Sequence, residues 1–154
     1  MKKVKWAENA YQGTTIYWGK TQSDIIKMLG ELGVSQTRFT NMEDRFVLEF
    51  VVKLEEKSIP RAVRVVVPLV TKISDDPLKR NKELNVVHRV LLNHLKSKFV
   101  AVVNGLSEFE QEFMSHLVVT DKNTGRTSTL GETLLPKYSE SLEQGTIPQF
   151  LLGN

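Results

Sequence analysis

The chain has 154 residues, 40% of them hydrophobic and 25% charged, a composition that fits one ordinary domain with a real core. It has no cysteine, which excludes disulfides, thiolate metal ligands and cysteine nucleophiles. Its net charge of +3 is unevenly spread: residues 61–105 hold nine basic and three acidic side chains, whereas residues 106–154 hold three basic and seven acidic. No apolar run reaches the roughly 18 residues that span a bilayer. The basic start at Lys2 and Lys3 is followed by Glu8, Asn9 and Gln12 instead of a signal-peptide core. The expectation is a soluble, cytoplasmic protein without a membrane partner.

Taken in chain order, Thr14 to Lys20 is β-branched and aromatic and predicts a first strand. Thr21, with Asp24 three residues on, reads as a helix cap. Ile25, Ile26, Met28, Leu29 and Leu32 form a helical stripe closed by Gly33, so a helix is predicted over 22–32. Three strands follow. Ser35 to Thr40 is half polar. Arg45 to Leu54 alternates strictly, with Phe46, Leu48, Phe50, Val52 and Leu54 on one face, and Arg61 to Leu69 repeats the device with Val63, Val65, Val67 and Leu69. Their short connections predict an antiparallel meander.

Residues 71–82, with Ser74, two aspartates, Pro77 and the cluster Lys79, Arg80 and Lys82, read as a loop. A long helix is predicted over 83–104. Leu84, Val87, Leu91, Leu95 and Val102 share one side of its wheel, Phe99 sits at the edge, and Lys82, Arg89 and Lys96 lie nearly opposite as an outward basic ridge. Gly105 ends that helix. Ser107 with Glu110 reads as a capping box for a short helix burying Phe109, Phe113 and Leu117. Residues 121–126 form a tight turn. Thr129 with Glu132 opens a last helix to about residue 144, which Pro136 should kink or break. The tail at Ile147, Phe150, Leu151 and Leu152 is apolar enough to dock on the body or on a second subunit. The fold expected is α+β: a β-α-β-β-β-α core over 1–105, its antiparallel sheet covered on one face by the long helix, with a small helical C-terminal lobe over 106–154.

Chemistry finds little purchase. His88 and His94 stand six apart on different helix faces and His116 is remote, so no metal-ligand spacing arises. There is no phosphate-binding P-loop, no dinucleotide fingerprint and no nucleophile elbow. Glu108, Glu110 and Glu112 crowd the start of a capped helix, where the helix dipole alone favours them. Tyr17 and Trp18 should face opposite sides of the first strand, one in the core and the other packed under the N-terminal arm or free to stack a base. No catalytic residue and no cofactor are assigned, and no motif supports an enzyme.

Several blocks occur together in a fixed order. They are Thr14-Thr15-Ile16, the Ser23-Asp24-Ile25-Ile26-x-Met28-Leu29 helix with Gly33-Val34, the Val63 to Leu69 strand, the Phe109 to Leu117 block, and Gly125-Arg126-Thr127 with Gly131-Glu132. In these the chain resembles a family of small proteins of no assigned activity encoded in tailed phages, prophages and metagenomic contigs. The resemblance covers about residues 14–152 and implies a mobile-element setting in a host cytoplasm. Relatives are arginine-rich after the last strand, where this chain keeps Lys79, Arg80 and Lys82.

Two functions fit these observations. One is a phage-type accessory protein that binds the backbone of DNA or RNA without sequence readout, through Lys79, Arg80, Lys82, Arg89 and Lys96. The alternative is a protein-interaction module that modulates or inhibits a host protein, with homo-oligomerisation through the C-terminal tail as a further option.

Overall fold

A computed structural model describes residues 3–56 and 58–145. The elements in order are α1 (Lys5–Glu8), α2 (Trp18–Glu31), β1 (Gln36–Asn41), β2 (Arg45–Val52), β3 (Arg61–Pro68), α3 (Pro77–Val103), α4 (Phe109–Phe113), a 3₁₀ turn (Met114–His116), β4 (Val118–Thr120), β5 (Thr127–Thr129) and α5 (Leu130–Glu143). The class is α+β, with α3 laid on an antiparallel sheet of order β1-β2-β3.

The meander follows the alternation of the sequence. Phe46, Leu48, Phe50 and Val52 of β2 and Val63 and Val65 of β3 are buried, while their neighbours face outward. Leu54 lies beyond β2 and is exposed. The register sets Phe39, Leu48 and Val65 side by side on the inner face. Onto that face α3 presents Leu84, His88, Leu91, Leu92, Leu95 and Phe99, and α2 presents Ile25 and Leu29. Leu91 and Leu95 are 4% and 0% exposed, as the wheel of α3 requires.

The first segment corrects the sequence reading. Thr14 to Lys20 forms no strand; α2 begins at Trp18. The reason is tertiary. The Asn85 side chain, on α3, accepts the Trp18 backbone N–H at 2.8 Å and so serves the open N-terminus of α2. Thr21 is therefore inside the helix and buried. The far end is as expected: Gly33 at φ +82 carries a Schellman closure, with Gly33 N–H on Gly30 O and Val34 N–H on Leu29 O.

The expected loop is also shorter. α3 starts at Pro77, with Asp76 as N-cap accepting the Leu78 and Lys79 N–H groups, and so includes Lys79, Arg80 and Lys82. In the C-terminal lobe, the capping box sits one residue later than expected: Glu108 is the N-cap and the Gln111 carboxamide oxygen accepts its N–H at 2.9 Å. The lobe is also not all helical, because β4 and β5 pair as a hairpin. An isolated bridge from Leu117 to Val63 of β3 ties it to the sheet. The Thr129–Glu132 box forms as predicted and α5 runs unbroken through Pro136. The expected docking of the tail at Ile147 to Leu152 lies outside the described residues.

Candidate functional site

Helix α3 carries all five basic residues singled out from the sequence, but it does not bring them to one surface. Lys79, Lys82 and Lys96 are exposed and form no ion pair among the described residues. Arg89 is partly covered and lies 3.9 Å from Asp24 of α2. Arg80 is 6% exposed. Its guanidinium donates to the carbonyls of Met42 at 2.7 Å, Glu43 at 2.6 Å and Thr71. It therefore clamps the β1–β2 turn to the segment leading into α3 and cannot reach a phosphate. The fork geometry of arginine suits several carbonyls at once, which explains its burial and corrects its assignment as a nucleic-acid contact. The ridge also changes character along the helix. At 100° per residue, Val100 and Val103 fall within about 40° of Arg89, so the outward stripe turns from basic to apolar towards the C-terminus of α3. There it borders a groove of about 240 Å³ shared with α2 and lined by Met28, Leu32, Lys96, Phe99, Val100 and Val103.

On the outer face of the sheet, the register aligns Arg38, Glu49 and Arg64 across the three strands. Glu49 accepts from Arg38 on one oxygen and from Arg64 Nε at 2.8 Å on the other. Arg64 Nη2 continues to Thr127 Oγ1 at 3.2 Å in β5. Partial burial raises the Glu49 carboxyl, but the hydrogen bonds and charges of the two arginines outweigh it and hold the carboxyl below its ordinary value. The sequence signal was available: all three residues sit at outward positions of alternating strands. The triad fastens three strands and the hairpin together.

His88 belongs to the core. It is fully buried and stacks on Phe46, with ring centroids 4.3 Å apart. The Leu84 carbonyl lies 2.7 Å from Nδ1 and the Gln22 amide 3.0 Å from Nε2. These contacts suit a neutral ring that donates from Nδ1 and accepts at Nε2. Burial holds its pKa below the ordinary value, against the pull of the Leu84 carbonyl. The three glutamates of the Glu108 to Glu112 run are likewise accounted for. Glu108 caps α4, Glu110 pairs with Arg61 at 2.9 Å, and Glu112 accepts from Ser107 Oγ at 2.6 Å and faces Lys98 at 3.5 Å. The Ser107 hydroxyl, then the Lys98 charge, keep the Glu112 carboxyl below its usual value. Among the described residues no group of histidines and carboxylates could hold a metal ion.

The C-terminal lobe presents a different surface. Phe109 and Phe113 are buried against Phe99 and Phe50. Helix α5 is seated at its first turn, where Gly131 packs so closely on the 3₁₀ turn that a Cβ would meet Ser115 O at 2.7 Å. Beyond that turn the helix has no buried residue. Taking Gly131 as 0°, Leu134, Leu135, Tyr138 and Leu142 fall within about 60° of it. They form one apolar stripe continuous with the seated side, yet all four are exposed, Leu135 at 60%. Between α5 and α4 this leaves an open cleft of about 350 Å³, with Met114, Leu130, Leu134 and Leu135 among its lining. Sequence reasoning gave this helix but not its exposure.

The chain matches no family model, no curated protein and no solved structure. Among the described residues no helix is long and apolar enough to cross a membrane. What the geometry offers is an exposed apolar helix stripe beside a cleft and, on α3, three exposed lysines without an ion pair among the described residues.

Proposed function

We propose that the chain is a protein-interaction module whose helix α5 binds another polypeptide. The observation that carries this reading is the stripe of Leu134, Leu135, Tyr138 and Leu142, exposed along a helix whose one buried residue, among those described, is Gly131 in its first turn. A contiguous apolar surface of this kind marks a contact site, because it costs solubility without adding to the core. The resemblance of its motifs to phage-encoded proteins would make that role an accessory or modulatory one in an infected cell. The test is photo-crosslinking in cells, with a photoreactive residue placed at Tyr138 of the full chain and, as a control, at the more exposed loop residue Val70. Polypeptide adducts should form at position 138 and disappear with Leu135→Asp. Yields at 138 no higher than at 70, or indifferent to Leu135→Asp, would contradict the reading.

A second reading, a binder of nucleic-acid backbone, is favoured by one observation: Lys79, Lys82 and Lys96 stand exposed on one helix without ion-pair partners among the described residues. Its test is a shift assay with single-stranded and duplex DNA. Changing the three to Gln should reduce the salt slope by about two to three units. A wild-type chain that binds neither at low salt would end it.

A further inference from the structure

We propose that the free edge of β1 takes an extended acidic segment of another polypeptide as a further antiparallel strand. A carboxylate of that segment would meet Arg38, and an apolar side chain would lie beside Phe39. The site is separate from α5 and does not rest on the reading of that helix.

The backbone supplies the first observation. In the order β1-β2-β3, β1 is an outer strand. The Met42 N–H donates to the Arg45 carbonyl at 2.8 Å across the turn, which sets the phase of the ladder. Gln36, Arg38 and Thr40 therefore direct their N–H and C=O groups at β2, and Thr37, Phe39 and Asn41 direct theirs away from it. Among the described residues no hydrogen bond uses these outward groups. The opposite edge of the sheet is engaged by the chain itself, through the bridge from Leu117 to Val63. Open backbone groups on an edge strand are what an added strand pairs with.

The side chains state which strand fits. On the inner face, Thr37 and Phe39 are only partly buried, although Phe50 and Leu48 opposite them are buried. An apolar residue paired with Phe39 would lie on that same face and extend the core by one strand. On the outer face, Arg64, Glu49 and Arg38 alternate in sign across the sheet. Glu49 is shared by both arginines, so the row keeps one positive charge in excess. Arg38 spends Nε and Nη2 on one oxygen of Glu49, its Nη1 makes no hydrogen bond among the described residues, and its side chain is 72% exposed at the open edge. Towards a newcomer Arg38 takes a non-hydrogen-bonded position, where facing side chains come closest. A carboxylate there continues the alternation, whereas a lysine or arginine would meet like charge. Arg38 thus turns away basic strands and admits acidic ones.

The experiment uses the full chain and two fluorescent probes, a peptide of alternating valine and glutamate and the same peptide with lysine for glutamate. Anisotropy reads binding, and the amide signals of the isotope-labelled chain read its place. The glutamate peptide should bind about fivefold or more tightly than the lysine peptide, and it should slow amide exchange at Thr37, Phe39 and Asn41. Thr37→Pro removes one outward donor without touching the β1–β2 ladder, and should weaken binding about tenfold. Arg38→Gln should abolish the preference between the two peptides. Melting curves check that both variants fold; should either fail to, the wild-type comparison and the three amides decide alone. A wild type that binds neither peptide, or both alike, overturns the proposal. So does binding that Thr37→Pro leaves intact, or that perturbs α5 in place of β1. None of these outcomes bears on adducts at position 138, so the reading of α5 stands or falls separately.

Discussion

The sheet with α2 and α3 and the lobe from α4 to α5 are built from similar residues but use them differently. In the first region one face of each element is buried: Ile25 and Leu29 on α2, four residues of β2, and Leu84, Leu91, Leu92, Leu95 and Phe99 on α3. In the second, Phe109 and Phe113 complete that same core, but no apolar side chain after them is buried among the described residues; α5 buries Gly131 alone among its described residues. Periodicity therefore gives the helix in both regions, and only the neighbouring surface decides whether the stripe is buried in the fold or left exposed.

The comparison is broken most readily by substitution in the core. Leu95→Ala should lower stability by about 2–5 kcal/mol, from lost burial and the cavity left in the core cluster it belongs to. Chemical denaturation measures it; a loss below about 1 kcal/mol would mean that α3 is not seated as described. Next in size is Arg80→Met, which strands the carbonyls of Met42, Glu43 and Thr71 and should cost about 2–3 kcal/mol. An unchanged midpoint would return Arg80 to the surface set. Gly131→Ala should cost about 1–3 kcal/mol or unseat α5, because the new methyl meets the Ser115 carbonyl. Hydrogen exchange at the first turn of α5 would show the difference.

A smaller effect is expected from pH. Burial holds His88 below the ordinary value of about 6.5. The folded chain thus binds fewer protons at this ring than the unfolded chain does. Stability from this site is complete above about pH 6.5 and is lost as pH falls towards the lowered folded value. His94 and His116 are shifted the same way, by burial first and then by the Lys98 charge. Melting temperature should fall between pH 7 and pH 5, and His88→Gln should flatten, without abolishing, that fall. A fall equally steep in the variant would assign it to the other two histidines.

The meander was legible because alternation over eight residues has no helical counterpart: Phe46 to Val52 and Val63 to Val67 can lie flat in one way. The end of α2 was legible because Gly33 supplies a left-handed closure locally. Its start was not, since the side chain that accepts the Trp18 N–H stands 67 residues away on Asn85. The start of α3 was written in Asp76 and Pro77 but masked by the charged cluster after them. Strands β4 and β5 have three residues each, too few to show a period. Of the candidate basic site, exposure of Lys79, Lys82 and Lys96 followed from the sequence. Burial of Arg80 did not, because its acceptors are backbone carbonyls of distant turns.

The central claim is that the stripe on α5 serves contact and not the core, and thermal unfolding of a dilute triple variant tests it most directly. Leu134→Ser, Leu135→Ser and Leu142→Ser together remove the three leucines of the stripe while leaving Gly131 and the capping box in place. Surface changes of this kind stay within about 0.5 kcal/mol each, so the melting temperature should remain close to that of the wild type, far above that of Leu95→Ala. A drop as large as that of Leu95→Ala would place the stripe inside the packed fold and contradict the account.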